Sequence, residues 1–126
     1  MFGIYINCKA APFVSDILSR RKVDETRPYD VLSAVTGKRI AIIETGTSRT
    51  GIIRGYATIT SSRVVSYDDI SSRKSACIYG TPYDIMPGET KVFYKLSRVR
   101  PCKPYPLPEN HINHGRSFTE FYKPTT

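Results

Sequence analysis

The chain has 126 residues, 19 lysines and arginines against 11 aspartates and glutamates, a net charge of +8 and a pI of about 9.6. That length suits one domain around a single core, and a make-up of 40% hydrophobic and 24% charged residues excludes a disordered tail. Apolar runs such as Ile40-Ala41-Ile42-Ile43 fall far short of the ~18–20 residues of a spanning helix, and no basic stretch precedes an apolar one at Met1, so neither a membrane span nor a signal peptide is expected.

Phe2 to Asn7, rich in Ile, Tyr and Phe, reads as a first strand. Pro12 suits the first turn of a helix carrying Phe13, Val14, Ile17 and Leu18, and Arg20, Arg21 and Lys22 follow where the helix dipole favours cations. Pro28 stops that helix, and Tyr29 to Val35 reads as a short helical turn. Gly37 breaks it before the clearest strand, Lys38 to Glu44. Turn formers fill Thr45 to Gly51, and Ile52 to Ile59 is the next strand, with Val64-Val65 extending or following it. Asp68 to Ala76 reads as a short helix, Gly80 to Gly88 as an irregular connection, and Lys91 to Arg100 as a strand ended by Pro101.

Cys8, Cys77 and Cys102 are odd in number and form no CxxC pair, which favours idle thiols in a reducing compartment, hence the cytoplasm. His111 and His114 lie in a Pro-rich loop that reads as solvated, and no metal or other cofactor is expected. The excess charge favours a polyanion, because each cation that neutralises a phosphate releases a counterion. From Lys91 onward seven cations face two acids, interleaved with Phe93, Tyr94, Tyr105, Phe118, Phe121 and Tyr122. Such rings either stack on bases or fill a core, and both readings stand.

The most informative stretch is Asp16 to Arg27, where a helix hands over to an extended segment. There Glu25 and Arg27 point to one side, and Lys22, at the turn, can lean over the same cleft. Two outcomes are open. The trio either pairs internally while leaving a cation free for a phosphate or a polarised carbonyl, or it is a surface salt-bridge cluster contributing roughly 0–1 kcal/mol per pair.

The run Ile17 to Arg27 resembles the signature of ASCH domains, the PUA-like superfamily pattern G-x-K-x-x-E-x-R just after the first helix. Lys22, Glu25 and Arg27 stand at the K, E and R, while Arg20 replaces the glycine. Gly37 to Ile42, Gly55 to Ile59 and Val92 to Leu96 resemble the strands that follow in that family, so the resemblance spans roughly Phe2 to Pro108.

The resemblance implies an α+β, mainly β fold: a PUA-like small β-barrel with two or three short helices. It would form one domain over residues 1–126, with the Pro-rich segment from about 101 to 126 packing on it or extending from it. It also implies a cleft in which Lys22, Glu25 and Arg27 bind RNA, a nucleotide or a modified nucleoside. Arg49, in the turn-rich loop, is either a further phosphate contact or part of an ordinary hairpin tip. Some small members remove the acetyl group of N4-acetylcytidine with the motif lysine, a threonine and a later glutamate. Here Glu25 occupies the threonine position and the helix over 68–76 has no glutamate. Other members are described as ribonucleases. In either enzyme Lys22 and Glu25 are the catalytic candidates, with Glu25 as base; the cation stabilising developing charge is Lys22 or Arg27 in the amidohydrolase and Lys22 or Arg49 in the ribonuclease. The sequence leaves enzyme and binding module both open.

Overall fold

The computed structural model describes residues 1–47 and 51–123. Strand β1 (Phe2–Asn7) leads to helix α1 (Phe13–Leu18), which turns Phe13, Val14 and Ile17 into the core. Strand β2 (Asp24–Arg27), a 3-10 turn (Ser33–Val35) and strand β3 (Arg39–Thr45) follow. Strand β4 (Ile52–Ser66), helix α2 (Ile70–Ser75), β5 (Thr90–Pro106), β6 (Ile112–His114) and β7 (Phe118–Glu120) complete the chain.

The strands form one sheet in the order β2-β5-β4-β3-β1-β7-β6. β1 and β3 are parallel, with Phe2 opposite Ile40, and the remaining neighbours are antiparallel. A parallel pair needs a crossover, which α1, β2 and the 3-10 turn supply. The sheet is open rather than the expected closed barrel: β2 and β6 are its two edges and do not pair with each other. Edge strands of four and three residues are too short for the continuous ladder that closure demands. Pro28, directly after β2, also lacks the next backbone donor.

The apolar run of β3 is explained by burial on both faces. Ile40 and Ile42 join the main core with α1, whereas Ala41 and Ile43 meet Ile53 and Phe121 in a smaller cluster on the other side. The segment after β5 covers that second face through Leu107 and Phe121. Phe93 and Tyr94 are fully buried and Phe121 is 3% exposed, so these rings of the basic C-terminal region fill the core and are not available for base stacking. Tyr122 remains exposed.

Strands β4 and β5 run further than the sequence indicates. The polar stretch Thr60 to Arg63 continues β4 because β5 lies alongside as far as Thr90. β5 passes through Pro101 and Pro104 because β2 pairs only with Val92 to Lys95, and beyond that point β5 is an edge that tolerates a missing N–H. No helix among the described residues is long and apolar enough to cross a membrane.

The irregular connection after α2 is fixed by one buried ion pair. Arg73 donates Nε and Nη2 to the two carboxylate oxygens of Asp84, both at 2.8 Å, and Nη1 to the Tyr67 carbonyl at 2.8 Å. Its guanidinium also lies over the rings of Tyr67 and Tyr79. The Arg73 hydrogen bonds, working against burial and joined by the Gly80 and Ile85 amides, hold the Asp84 carboxyl down at about 2 from its ordinary 3.8. A depressed carboxylate contributes stability above its unfolded-state pKa, and that contribution is lost as pH falls through about 2. Thermal melts followed by tyrosine circular dichroism should therefore show a flatter pH dependence between ~4 and ~2 for Asp84→Asn than for the unmodified chain. Equal slopes would contradict this role for Asp84.

Candidate functional site

The turn after α1 places the motif. Ser19 closes the helix, and Arg20 adopts the left-handed conformation (φ 64°), donating its N–H to the Ile17 carbonyl at 2.9 Å. The Lys22 N–H then reaches back to the Asp16 carbonyl at 2.9 Å. Helix ends of this type favour glycine, and a side chain in that conformation costs about 1 kcal/mol. The backbone thus keeps the conformation for which glycine suits this position, although the residue is arginine.

Turned inward by this cap, Lys22 is 1% exposed. Its ammonium donates to the Ala76 carbonyl, lies 4.7 Å from the Phe13 ring centroid and is 3.9 Å from Glu25 Oε1. Burial pushes its pKa below the ordinary lysine value, with Glu25 pulling the other way. Glu25 is itself buried; its Oε1 accepts the Thr26 N–H at 2.8 Å and its Oε2 lies 3.6 Å from Arg27 Nη2. Arg27 Nη2 donates to the Tyr5 carbonyl at 2.7 Å, bridging β2 to β1. Arg27 Nε is buried and finds no acceptor among the described residues.

The structure thus brings Lys22, Glu25 and Arg27 together in sequence order, as one line of alternating charge. Asp24 anchors the start of β2 by a two-pronged pair with Arg63 at 2.9 and 3.2 Å. Lys91, on β5, joins the group: its ammonium donates to the Tyr83 carbonyl, Tyr83 packs edge-on against Phe13, and burial lowers its pKa. Nothing local in the sequence separates Lys91 from the other cations of its strand; the β2–β5 pairing is what brings it near. Arg49 lies outside the described residues. A cavity of about 370 Å³ reaches Lys22 and Val23 from the side of β5.

Among solved structures, the ASCH protein of Zymomonas mobilis aligns over 96% of this chain and 88% of its own length, at 20% identity and a TM-score of 0.67. A tyrosine-to-phenylalanine variant of it aligns over 96% and 91% at 20% identity with a TM-score of 0.66, and a serine-to-alanine variant over 96% and 89% at 16% with a TM-score of 0.60. The chain has the ASCH fold. No protein-family model and no curated protein matches the sequence.

The stretch that resembles the signature lies at the junction of α1 and β2, and Lys22, Glu25 and Arg27 converge there. The Ala76 carbonyl that receives Lys22 follows α2, and Tyr83 belongs to the connection clamped by Arg73 and Asp84. That ion pair therefore positions one wall of the site. Among the described residues no group of three or more His, Cys, Asp or Glu side chains is placed to hold a metal ion.

Proposed function

We propose that this chain is an ASCH-type domain that binds RNA, a nucleotide or a modified nucleoside beside Lys22, Glu25 and Arg27. The observation that carries this reading is the buried, unpartnered Nε–H of Arg27, a residue whose Nη2 lies 3.6 Å from the Glu25 carboxylate. A buried donor without an acceptor is unfavourable, and a nucleobase edge or a phosphate oxygen would satisfy it while Glu25 accepts from an amino group. The net charge of +8 favours the approach of such a ligand. In this reading Lys22 is a positioning residue, since its side chain is 1% exposed and its ammonium lies 3.9 Å from Glu25 Oε1. Three free thiols fit a reducing, cytoplasmic setting.

Hydrolysis of an N4-acetylcytidine-type amide or of RNA is the second reading, favoured by the lowered pKa of Lys22 with Glu25 at 3.9 Å. Binding stands ahead of it because Glu25 stands where the acetyl-removing members carry the threonine, and the segment over 68–76 has no glutamate. Titration of labelled single- and double-stranded RNA and of ribonucleotides at ~50 and ~200 mM salt tests the proposal. Salt-dependent binding is expected, with no cytidine or shortened RNA found by mass spectrometry. Absence of binding to all of these ligands at low salt would overturn it.

A further inference from the structure

A second feature lies around the corner from the motif. A cavity of about 400 Å³ is lined by Arg20, Arg39, Arg98, Val99 and Arg100, four guanidinium side chains and no acid. Through Arg20, Arg98 and Val99 it is continuous with the cavity that reaches Lys22. None of the four arginines forms an ion pair with a described residue, in contrast to Arg54, Arg63 and Arg73, which all do. Arg39 donates to the Arg98 carbonyl at 3.0 Å, so it is held across the groove by a neutral partner that leaves its charge uncancelled.

The backbone under this groove is unusual in the same places. Three non-glycine residues have positive φ among those described, Arg20 (64°), Cys77 (59°) and Arg98 (50°), and two of them line this one cavity. Arg20 directly follows the helix cap, Ser19. Arg98 belongs to a bulge in which Ser97 to Arg100 on β5 span the two-residue step from Thr58 to Tyr56 on β4. In both positions a glycine would relieve the strain, yet each carries a long cation directed at the same groove. Like charges gathered without counter-charges repel one another, so the arrangement is stabilised by a polyanion rather than by the fold.

We infer that the groove of Arg20, Arg39, Arg98 and Arg100 holds successive phosphates of a single-stranded RNA backbone, one base of which occupies the motif site. The inference rests on the RNA-binding reading above and adds the part of the ligand that supplies affinity. Guanidinium groups suit it because each offers paired donors to phosphate oxygens. Four such contacts give a log–log salt slope of about −3 for a single strand, each contributing about −0.7.

The test is a salt series of binding isotherms with a labelled single-stranded RNA for the unmodified chain, Arg20→Gly, the pair Arg39→Gln with Arg100→Gln, and Lys22→Met. Arg20→Gly is expected to raise the melting temperature by about 3 °C, because strain is released. It should also flatten the salt slope by about 0.7, and the double variant should flatten it by about 1.4 and weaken binding about tenfold at low salt. RNA binding that keeps its slope and affinity in both groove variants would overturn the inference and leave the motif reading standing. Loss of binding in the groove variants with full retention in Lys22→Met would uphold the groove and overturn the positioning role of Lys22. An unmodified chain that binds no RNA overturns the groove, and the ribonucleotide titrations then decide the motif site by themselves.

Discussion

Glu25→Gln is expected to lower the unfolding free energy by about 3 kcal/mol at neutral pH, the usual effect of stripping one partner from a buried ion pair. Lys22, 1% exposed, would keep the Ala76 carbonyl and the Phe13 ring but lose the only acid within 4 Å among the described residues. Its pKa, already lowered by burial, would fall further. A lysine whose folded pKa lies below its unfolded value binds fewer protons in the native state, so stability rises with pH through the window between the two. The deficit of Glu25→Gln should therefore shrink as pH climbs towards ~10, where the unfolded chain also gives up that proton. Adding Lys22→Met, which keeps the buried stem and deletes the charge, should restore most of the loss. Urea titrations of the single and double variants form the cycle that isolates the pair. A Glu25→Gln variant as stable as the unmodified chain at neutral pH would mean that the pair is not holding Lys22 in place.

Lys22→Met is also a cleaner probe of function than Lys22→Ala. Truncating a side chain so fully buried leaves a cavity, and instability would then be mistaken for lost binding.

The second large effect is expected at Gly55. A Cβ there would lie 2.5 Å from the Arg100 carbonyl oxygen, 2.8 Å from Leu18 Cδ2 and 3.1 Å from Pro101 Cα. Two of these atoms are backbone, so the clash cannot be relieved by a rotamer change, and β5 must move away from β4 or α1 must lift. Gly55→Ala should cost about 3 kcal/mol, at the upper end of what overpacking usually does. It should also blunt RNA affinity, because Arg100 and the end of α1 that carries Arg20 flank the same contact. Denaturant unfolding and a binding isotherm on the folded fraction check both effects. Undiminished stability would show that the sheet yields at this point.

How much of this was legible in the sequence depends on the range of the forces involved. Local signals sufficed for β1, where Phe2 to Asn7 is apolar and bounded by turn formers, and for α1, where Pro12 and the spacing of Phe13, Val14 and Ile17 act within a few residues. Arg27 and Glu25 share a side of β2 because strand period alone dictates it. Strands β6 and β7 carried no such signal. Each has three residues, and β7 exists because Gly3 pairs with Thr119 across the whole length of the chain. The passage of β5 through its prolines depends on which neighbour β2 leaves uncovered, and the failure of the sheet to close depends on both edges at once.

The same distinction separates the two parts of the site. Lys22, Glu25 and Arg27 lie within six positions and could be read as a group. Arg20, Arg39, Arg98 and Arg100 come from the turn after α1, a strand start and a bulge, and only the packing of α1 and the β3–β4–β5 sheet gathers them. The Arg20 substitution in the signature reads from sequence as a departure. In the fold it keeps the glycine-like backbone and adds a cation to the groove.

Binding of RNA beside the motif is read residue by residue from the backbone amide resonances of the isotopically labelled chain while a short single-stranded RNA is added. Shifts are expected to concentrate at Arg20, Lys22, Thr26, Arg27, Lys91 and Arg98 and to reverse when the salt is raised to ~200 mM. Shifts confined to β6, β7 and the opposite sheet face, or none at low salt, would contradict binding beside the motif.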